Sequence, residues 1–156
     1  MQDQAEWAEA LRILDRIDSE FAHRGALLRE AKTRVGTKNF GKLLFEEYLK
    51  SRSWRIRAVC VYHCIGRPRT DDHSYRIGLE GIKDKSRVVR YRACMLLAVA
   101  QRDEALPHLR KLLLHSDEAS VADARAAIDA IENRNKNFFV DRDHSGMIEL
   151  DVISKE

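Results

Sequence analysis

The sequence repeats itself along most of its length. Copies that start at Ser51, Asp84 and Asp117 read SRSWRIRAVCVYHCIG, DKSRVVRYRACMLLAV and DEASVADARAAIDAIE, and each start lies 33 residues after the one before it. A more divergent fourth copy starts at Asp18 in the same register. Self-similarity at such a period indicates a repeat architecture, in which every unit is one supersecondary element that stacks on its neighbours.

Each copy has the pattern of two helices joined by a short polar corner. Apolar residues recur at helical spacing in the first helix of each pair: Leu43, Leu44, Tyr48 and Leu49, then Ile77, Leu79 and Ile82, then Leu109, Leu112 and Leu113. The second helix carries a stripe at three- and four-residue steps, as in Val89, Ala93, Leu96, Leu97 and Ala100. One hairpin cannot bury such a stripe. The sequence therefore predicts an all-α fold, a right-handed superhelix of about four helix hairpins.

Two segments, GLEGIKDKSRVVRYRACMLLAVAQ and EALPHLRKLLLHSDEASVADARAAIDAIE, resemble tandem HEAT repeats. The matching features are the corner aspartates Asp84 and Asp117, the pair Val89-Arg90, the small residue Ala93 and Pro107 in a first helix. Ser51 replaces a corner aspartate, and Asp123 stands where the helix arginine belongs. The departures put an unbroken Asp–Arg ladder at risk. The resemblance implies a scaffold that binds other macromolecules and says little about which ones.

The end of the chain departs from this pattern, and we divide the chain into a repeat domain at 1–136 and a tail at 137–156. In FFVDRDHSGMIE, the residues Asp141, Asp143 and Ser145 match positions 1, 3 and 5 of a calcium-binding EF-hand loop. Position 12, which should supply a glutamate, is Val152. The β-prone arms FFV and MIELDV predict a β-hairpin or an extended cap over the last repeat. We interpret the aspartates as turn residues, with a calcium site as the alternative.

Catalytic motifs are missing from the sequence. It contains no Gly-rich phosphate loop, no Gly-x-Ser-x-Gly and no His-Glu-x-x-His, so we expect neither an enzyme nor a cofactor. Cys60, Cys64 and Cys94 are odd in number and lie in apolar stripes, which predicts buried thiols in a reduced, cytoplasmic protein. No apolar run is long enough to cross a membrane. DNA glycosylases built from HEAT-like repeats remain the enzymatic alternative, although Trp54 has no acidic neighbour.

Charge is concentrated in the middle of the chain. Residues 51–92 hold eleven Lys/Arg against four Asp/Glu (net +7), and residues 93–156 hold eight against twelve (net −4). Few of the basic residues are needed for a repeat ladder, so the others indicate an acidic partner. The residues that we predict to contact it are Arg52, Arg55, Arg69, Arg87 and Arg92.

These features predict a non-catalytic adaptor or inhibitor module that binds an acidic protein. Nucleic acid is the alternative partner, because a basic stripe interleaved with exposed aromatic residues would also attract phosphates. We expect no membrane partner. We expect a monomer or weak self-association, the latter through the opposite charges of the two parts of the chain.

Overall fold

The computed structural model describes residues 3–67 and 71–151. These residues form helices and turns, and no β-strand occurs among them. In chain order the helices are α1 (Gln4–Asp15), α2 (Arg24–Val35), α3 (Thr37–Lys50), α4 (Trp54–Cys64), α5 (Asp72–Gly81), α6 (Arg87–Ala100), α7 (Leu106–Leu112) and α8 (Glu118–Glu132). Three short 3-10 helices lie at Phe21–His23, Asp103–Ala105 and Lys136–Phe139. The predicted all-α class is confirmed. In the described residues, no helix has the length and apolarity needed to cross a membrane.

Polar corner residues set the helix starts, as their spacing predicted. The side chains of Ser53 and Ser86 accept hydrogen bonds from the backbone N–H groups of Ile56 and Val89, and these bonds cap α4 and α6. At its other end α6 stops at Gln101, which adopts the left-handed conformation with φ of 56°. The starts of α4 and α6 therefore follow from local chemistry.

The helices pack in a regular order. Contacts join α1 to α3 and α3 to α5, and on the other side they join α4 to α6 and α6 to α8. The consecutive helices α3 and α4, α5 and α6, and α7 and α8 also pack against each other. Residues at equivalent positions of the 33-residue register are all buried: Cys60, Ala93 and Ala126, and likewise Cys64, Leu97 and Ala130. One continuous apolar core therefore runs through the successive units.

Two glycines allow α5 to approach α6 closely. A methyl group added at Gly78 would lie 2.6 Å from a Leu96 methyl carbon, and one added at Gly81 would lie 2.7 Å from the Ala93 methyl carbon. Both separations are shorter than carbon–carbon contact permits. The absence of a side chain at these two positions therefore determines how tightly this helix pair packs.

An arginine–aspartate ladder runs beside the core. Arg57 donates from Nε and Nη2 to the two carboxylate oxygens of Asp84, at 2.8 and 3.1 Å. One repeat further on, Arg90 donates from Nη2 to Asp117 at 3.3 Å and from Nε to the Ser120 hydroxyl at 2.8 Å. Each arginine thereby ties a second helix to the corner of the following unit.

The ladder is interrupted at the two sequence departures. By the 27-residue spacing that separates Arg57 from Asp84, Arg24 should pair with residue 51, but that residue is Ser51. At the other end Asp123 replaces the ladder arginine, and Arg142 of the tail donates to it at 3.0 Å. The first break leaves an arginine without its ladder carboxylate, and the second supplies an attachment point for the tail.

The described part of the tail, up to residue 151, contains no strand, so the predicted β-hairpin is not seen. The chain enters the 3-10 helix Lys136–Phe139 at once, because the Asn135 side chain accepts a bond from the Asn137 N–H and caps it. Phe139 is fully buried against α6 and α8, and its ring lies 5.6 Å from that of Tyr91. The aromatic residues pack on the last helices without needing a partner strand.

A carboxyl group lies inside the core between α1, α3 and α4. The Glu47 side chain is fully buried, and Lys50 Nζ lies 3.2 Å from its Oε1 while donating to both oxygens of Asp15 at 2.8 Å. Burial and the neighbouring Asp15 carboxylate raise the pKa of Glu47 to about 8. The folded protein therefore favours the neutral acid.

Leu97 tests the packing of the core. Leu97→Ala removes a fully buried side chain from the centre of the α6 stripe and should lower the free energy of unfolding by about 2–5 kcal/mol. Urea denaturation followed by circular dichroism measures the change. Leu114→Ala, at a side chain 88% exposed, is the control and should change stability little. Equal stability of the two variants would contradict the buried register of α6.

Glu47 gives a prediction for pH dependence. The pKa of Glu47 is raised from 4.5 to about 8 in the folded state. The contribution of Glu47 to the free energy of unfolding is therefore greatest below pH 4.5 and is lost as the pH rises to about 8. Glu47→Gln keeps the shape of the neutral acid and cannot ionise. Its free energy of unfolding, relative to the natural chain, should therefore increase between those pH values and level off above them. A difference that does not vary with pH in denaturation curves would refute this.

Candidate functional site

A groove of about 890 Å³ lies between the start of α2, the outer face of α4 and the start of α6. Three aromatic side chains (Phe21, Trp54 and Tyr62) and three arginines (Arg24, Arg55 and Arg92) line it. Its remaining apolar surface comes mainly from Ala58, Val59 and Val88. We name it the arginine groove. It combines apolar surface with a concentration of positive charge.

Helical spacing brings these side chains together. On α4, Arg55, Val59 and Tyr62 follow one another at four and three residues and so share one face. On α6, Val88 and Arg92 are four residues apart and face the same groove. The contact between α4 and α6 places the two faces side by side. The same stacking that buries the core thus builds the groove on the outside.

The arginines lie over the aromatic rings. The guanidinium carbon of Arg24 lies 4.3 Å from the Phe21 ring centre, and that of Arg92 lies 5.2 Å from the Tyr62 ring centre. Arg55 lies 5.4 Å from Phe21 and 5.9 Å from the Trp54 ring. Such cation–π contacts hold guanidinium groups in place without neutralising their charge. Arg24 and Arg92 each donate from Nη1 to a backbone carbonyl, and their other donors can bind an anion.

No carboxylate offsets this charge at the groove. Its lining includes no aspartate or glutamate, and none of the three arginines forms an ion pair with a carboxylate in the described parts of the chain. Burial, and more weakly the charge of Arg24, lower the pKa of Arg92, whose Nη1 donates to the Ala58 carbonyl at 2.9 Å. A bound anion would offset the unfavourable burial of the Arg92 charge.

A second, smaller groove of about 340 Å³ adjoins the first at the helix corners. Trp54 and Val88 line both grooves and form the ridge between them. The basic side chains of the corner groove include Arg52, Lys85 and Arg87. The two grooves together make a basic surface that runs from the start of α2 to the corner between α5 and α6.

The structure brings together four of the five residues that the sequence predicted. Arg55 and Arg92 line the arginine groove, Arg52 and Arg87 line the corner groove, and Arg69 lies outside the described residues. Arg87 differs from the others because it donates from Nε and Nη2 to Asp117, at 3.0 and 2.6 Å. It already has a carboxylate partner and is therefore less available to a ligand.

Sequence reasoning missed Arg24 and Phe21. Both lie in the most divergent repeat, where Arg24 occupies the position of a ladder arginine. The signal that could have identified Arg24 is Ser51, since an arginine without its ladder aspartate is released for another contact. Phe21 belongs to the 3-10 helix that precedes α2, and no periodicity marks it.

Two of the three calcium candidates, Asp141 and Ser145, are engaged in turn bonds. The Asp141 carboxylate accepts from the N–H and hydroxyl of Ser145 at 3.0 and 2.8 Å, and from the Gly146 N–H at 2.8 Å. These bonds, chiefly that of the Ser145 hydroxyl, lower the pKa of Asp141. Asp143 is exposed, and Val152 lies outside the described residues. Across residues 3–67 and 71–151, no three potential metal-binding side chains cluster.

The cysteines lie in the interior. Cys60, Cys64 and Cys94 are buried and free of disulfide bonds. Burial raises the pKa of the Cys60 and Cys94 thiols, so both remain neutral and weakly nucleophilic. Cys60 and Cys64 occupy positions that hold alanine or leucine in other repeats, and Cys94 occupies one that holds valine or alanine, which explains all three as packing residues.

Comparison with known proteins does not identify a function for the chain. The chain matches no protein-family model, no curated protein and no solved structure. The arginine groove combines volume, apolar contact area and three arginines that form no ion pair with a carboxylate in the described parts of the chain.

Substitution of Arg87 in the corner groove and of Arg55 in the arginine groove should affect stability differently. Arg87→Glu removes a bidentate pair and sets a carboxylate beside Asp117, so the thermal midpoint should fall. Arg55→Glu has the same charge change but breaks no ion pair and should leave the midpoint almost unchanged. Thermal unfolding at low salt compares them. Identical midpoints would mean that the Arg87–Asp117 pair does not stabilise the fold.

Proposed function

We propose that the protein is a non-catalytic binding module whose arginine groove holds an acidic segment of a partner protein. The observation that carries the proposal is the set of three arginines, Arg24, Arg55 and Arg92, that face one groove without a carboxylate. We further propose that its helix pairs form a right-handed HEAT-like superhelix. Buried thiols support a reducing compartment, and we place the protein in the cytoplasm.

Arginine chemistry supports a carboxylate ligand. The planar guanidinium donates two parallel hydrogen bonds to a carboxylate and loses less hydration than a lysine ammonium. The cation–π contacts with Phe21, Trp54 and Tyr62 reduce the freedom of the arginine side chains before a ligand arrives. Less conformational entropy is then lost on binding.

The apolar part of the groove would bind apolar side chains of the same ligand. Trp54 and Tyr62 are 47% and 46% exposed, and Val88 is 38% exposed. Aromatic residues and arginine together are the types that dominate protein–protein binding energy. A segment that alternates Asp or Glu with apolar residues would satisfy both the rings and the guanidinium groups.

The groove also supports a non-catalytic role. Its lining includes one possible general base, His63, but no serine, cysteine, aspartate or glutamate that could serve as a nucleophile or carboxylate base. A base-excising enzyme of the kind that HEAT-like glycosylases represent would need a carboxylate near the aromatic residues. Binding therefore accounts for the groove better than chemistry does.

Nucleic acid is the second candidate ligand, because exposed aromatic residues do interleave with arginines in the groove. Base stacking on aromatic side chains within a positive groove is typical of single-strand binding. Two observations favour protein. Guanidinium groups already lie over Phe21 and Tyr62, where bases would stack. The neighbouring α8 and tail carry Glu118 and Glu149 on the surface, which repel a long polyanion.

Selection from a library of random displayed peptides tests the proposal. The natural chain should enrich peptides that combine Asp or Glu with apolar residues, whereas Arg24→Glu/Arg55→Glu should lose them and favour Lys and Arg. The same acidic peptides should bind on the order of tenfold or more weakly to the double variant. Titration of fluorescent peptides at two salt concentrations measures this difference.

Arg125→Glu provides a matched control, because Arg125 is exposed on α8 and lies outside both grooves. It should retain the preference for acidic peptides. Enrichment without an acidic bias, or with a bias that survives Arg24→Glu/Arg55→Glu, would refute the proposal. Tight binding of a single-stranded oligonucleotide with a steep salt dependence, in the absence of acidic peptide binding, would support the second candidate instead.

A further inference from the structure

An exposed loop of the tail presents two apolar side chains to the surroundings. This tail loop, residues 142–149, follows the buried Phe139 and Asp141 and precedes the buried Leu150. Within it Met147 is 87% exposed and Ile148 is 50% exposed. Neither side chain belongs to the core of its own molecule, so only contact with another molecule could bury them.

Hydrogen bonds at its base hold the tail loop in one shape. The Asp141 carboxylate accepts from the backbone of Ser145 and Gly146 on the outgoing side. On the returning side, the Leu150 N–H donates to the Asn137 side chain at 2.9 Å, and Lys136 Nζ donates to the Leu150 carbonyl. A loop that is closed at both ends loses little conformational entropy when a partner surface binds it.

The chemistry of the tail loop matches that of the arginine groove. Asp143 and Glu149 are exposed within it, and Asp151 follows directly. The loop's one arginine, Arg142, is engaged by Asp123 at 3.0 Å. The chain therefore has an apolar tip flanked by exposed carboxylates, and also aromatic rings flanked by arginines that pair with no carboxylate in the described residues.

From this complementarity we infer that the arginine groove of one molecule binds the tail loop of a second copy. The inference rests on the proposed function, since it names one occupant of the same site. None of residues 142–149 lines the groove of its own molecule. The contact is therefore between different surfaces of two molecules, and an assembly that does not close into a ring has a free groove at one end and a free loop at the other.

Such an interface is small, so the association is weak, reversible and sensitive to salt. One loop that enters one groove buries less area than stable complexes do, and its charged pairs lie at the rim. Because the tail loop and an acidic segment of another protein would bind the same groove, they compete for it. Self-association thus lowers the number of grooves open to that partner.

Complementary variants provide the test, with full-length chains in sedimentation velocity runs. The natural chain should show an average mass that rises with concentration at low salt and falls when salt is added. The groove variant Arg24→Glu/Arg55→Glu and the loop variant Met147→Ser/Ile148→Ser should each stay monomeric. Mixed together they should form a one-to-one complex, because one supplies an intact loop and the other an intact groove.

Arg125→Glu, with its charge change outside both surfaces, should associate like the natural chain. The inference is overturned if the natural chain stays monomeric at every concentration, if either double variant still associates alone, or if the mixture forms no complex. Failure of these experiments while displayed acidic peptides still bind the groove leaves the proposed function standing. Failure of both experiments would contradict the inference and the proposed function alike.

Discussion

The structure depends on one constraint: the apolar stripe of each second helix can be buried only by its neighbours. Contacts of α6 with α4, α5 and α8 cover the side chains of Val89, Ala93 and Leu97 completely. Burial of apolar surface is the dominant favourable contribution to such packing. The glycine contacts at Gly78 and Gly81 set how close the helices come, and the ladder of arginines and aspartates sets their register. Neither would form without the stack.

Two positions depart from the repeat pattern, and a surface feature that the other units lack lies beside each of them. Where Ser51 replaces an aspartate, Arg24 has no ladder partner and joins the arginine groove. Where Asp123 replaces an arginine, Arg142 pairs with it and attaches the tail to α8. The ladder makes successive units alike, so a position that leaves the ladder pattern can differ from its equivalents in the other units. The groove and the tail loop lie at these two positions.

Much of the fold could be predicted because helices follow from local periodicity. The 33-residue register, the serine caps at Ser53 and Ser86 and the buried stripe around Leu97 all depend on residues close together in the chain. The tail was harder to predict. The segment FFV has high β propensity, but a strand forms only beside a partner strand. Phe139 instead packs against α6 and α8. Tertiary packing overrode the local preference.

The all-α class, the helix corners, the buried cysteines and the concentration of basic residues between 51 and 92 could be predicted, because each depends on composition or short-range spacing. Which of those arginines share a surface depends on the tertiary structure. It added Arg24 and Phe21 to the groove, tied Arg87 to Asp117, and placed Glu47 beside Asp15 in the interior. These residues lie 30 or more positions apart in the chain, and only the stacking of distant helices brings them within a few ångströms of each other.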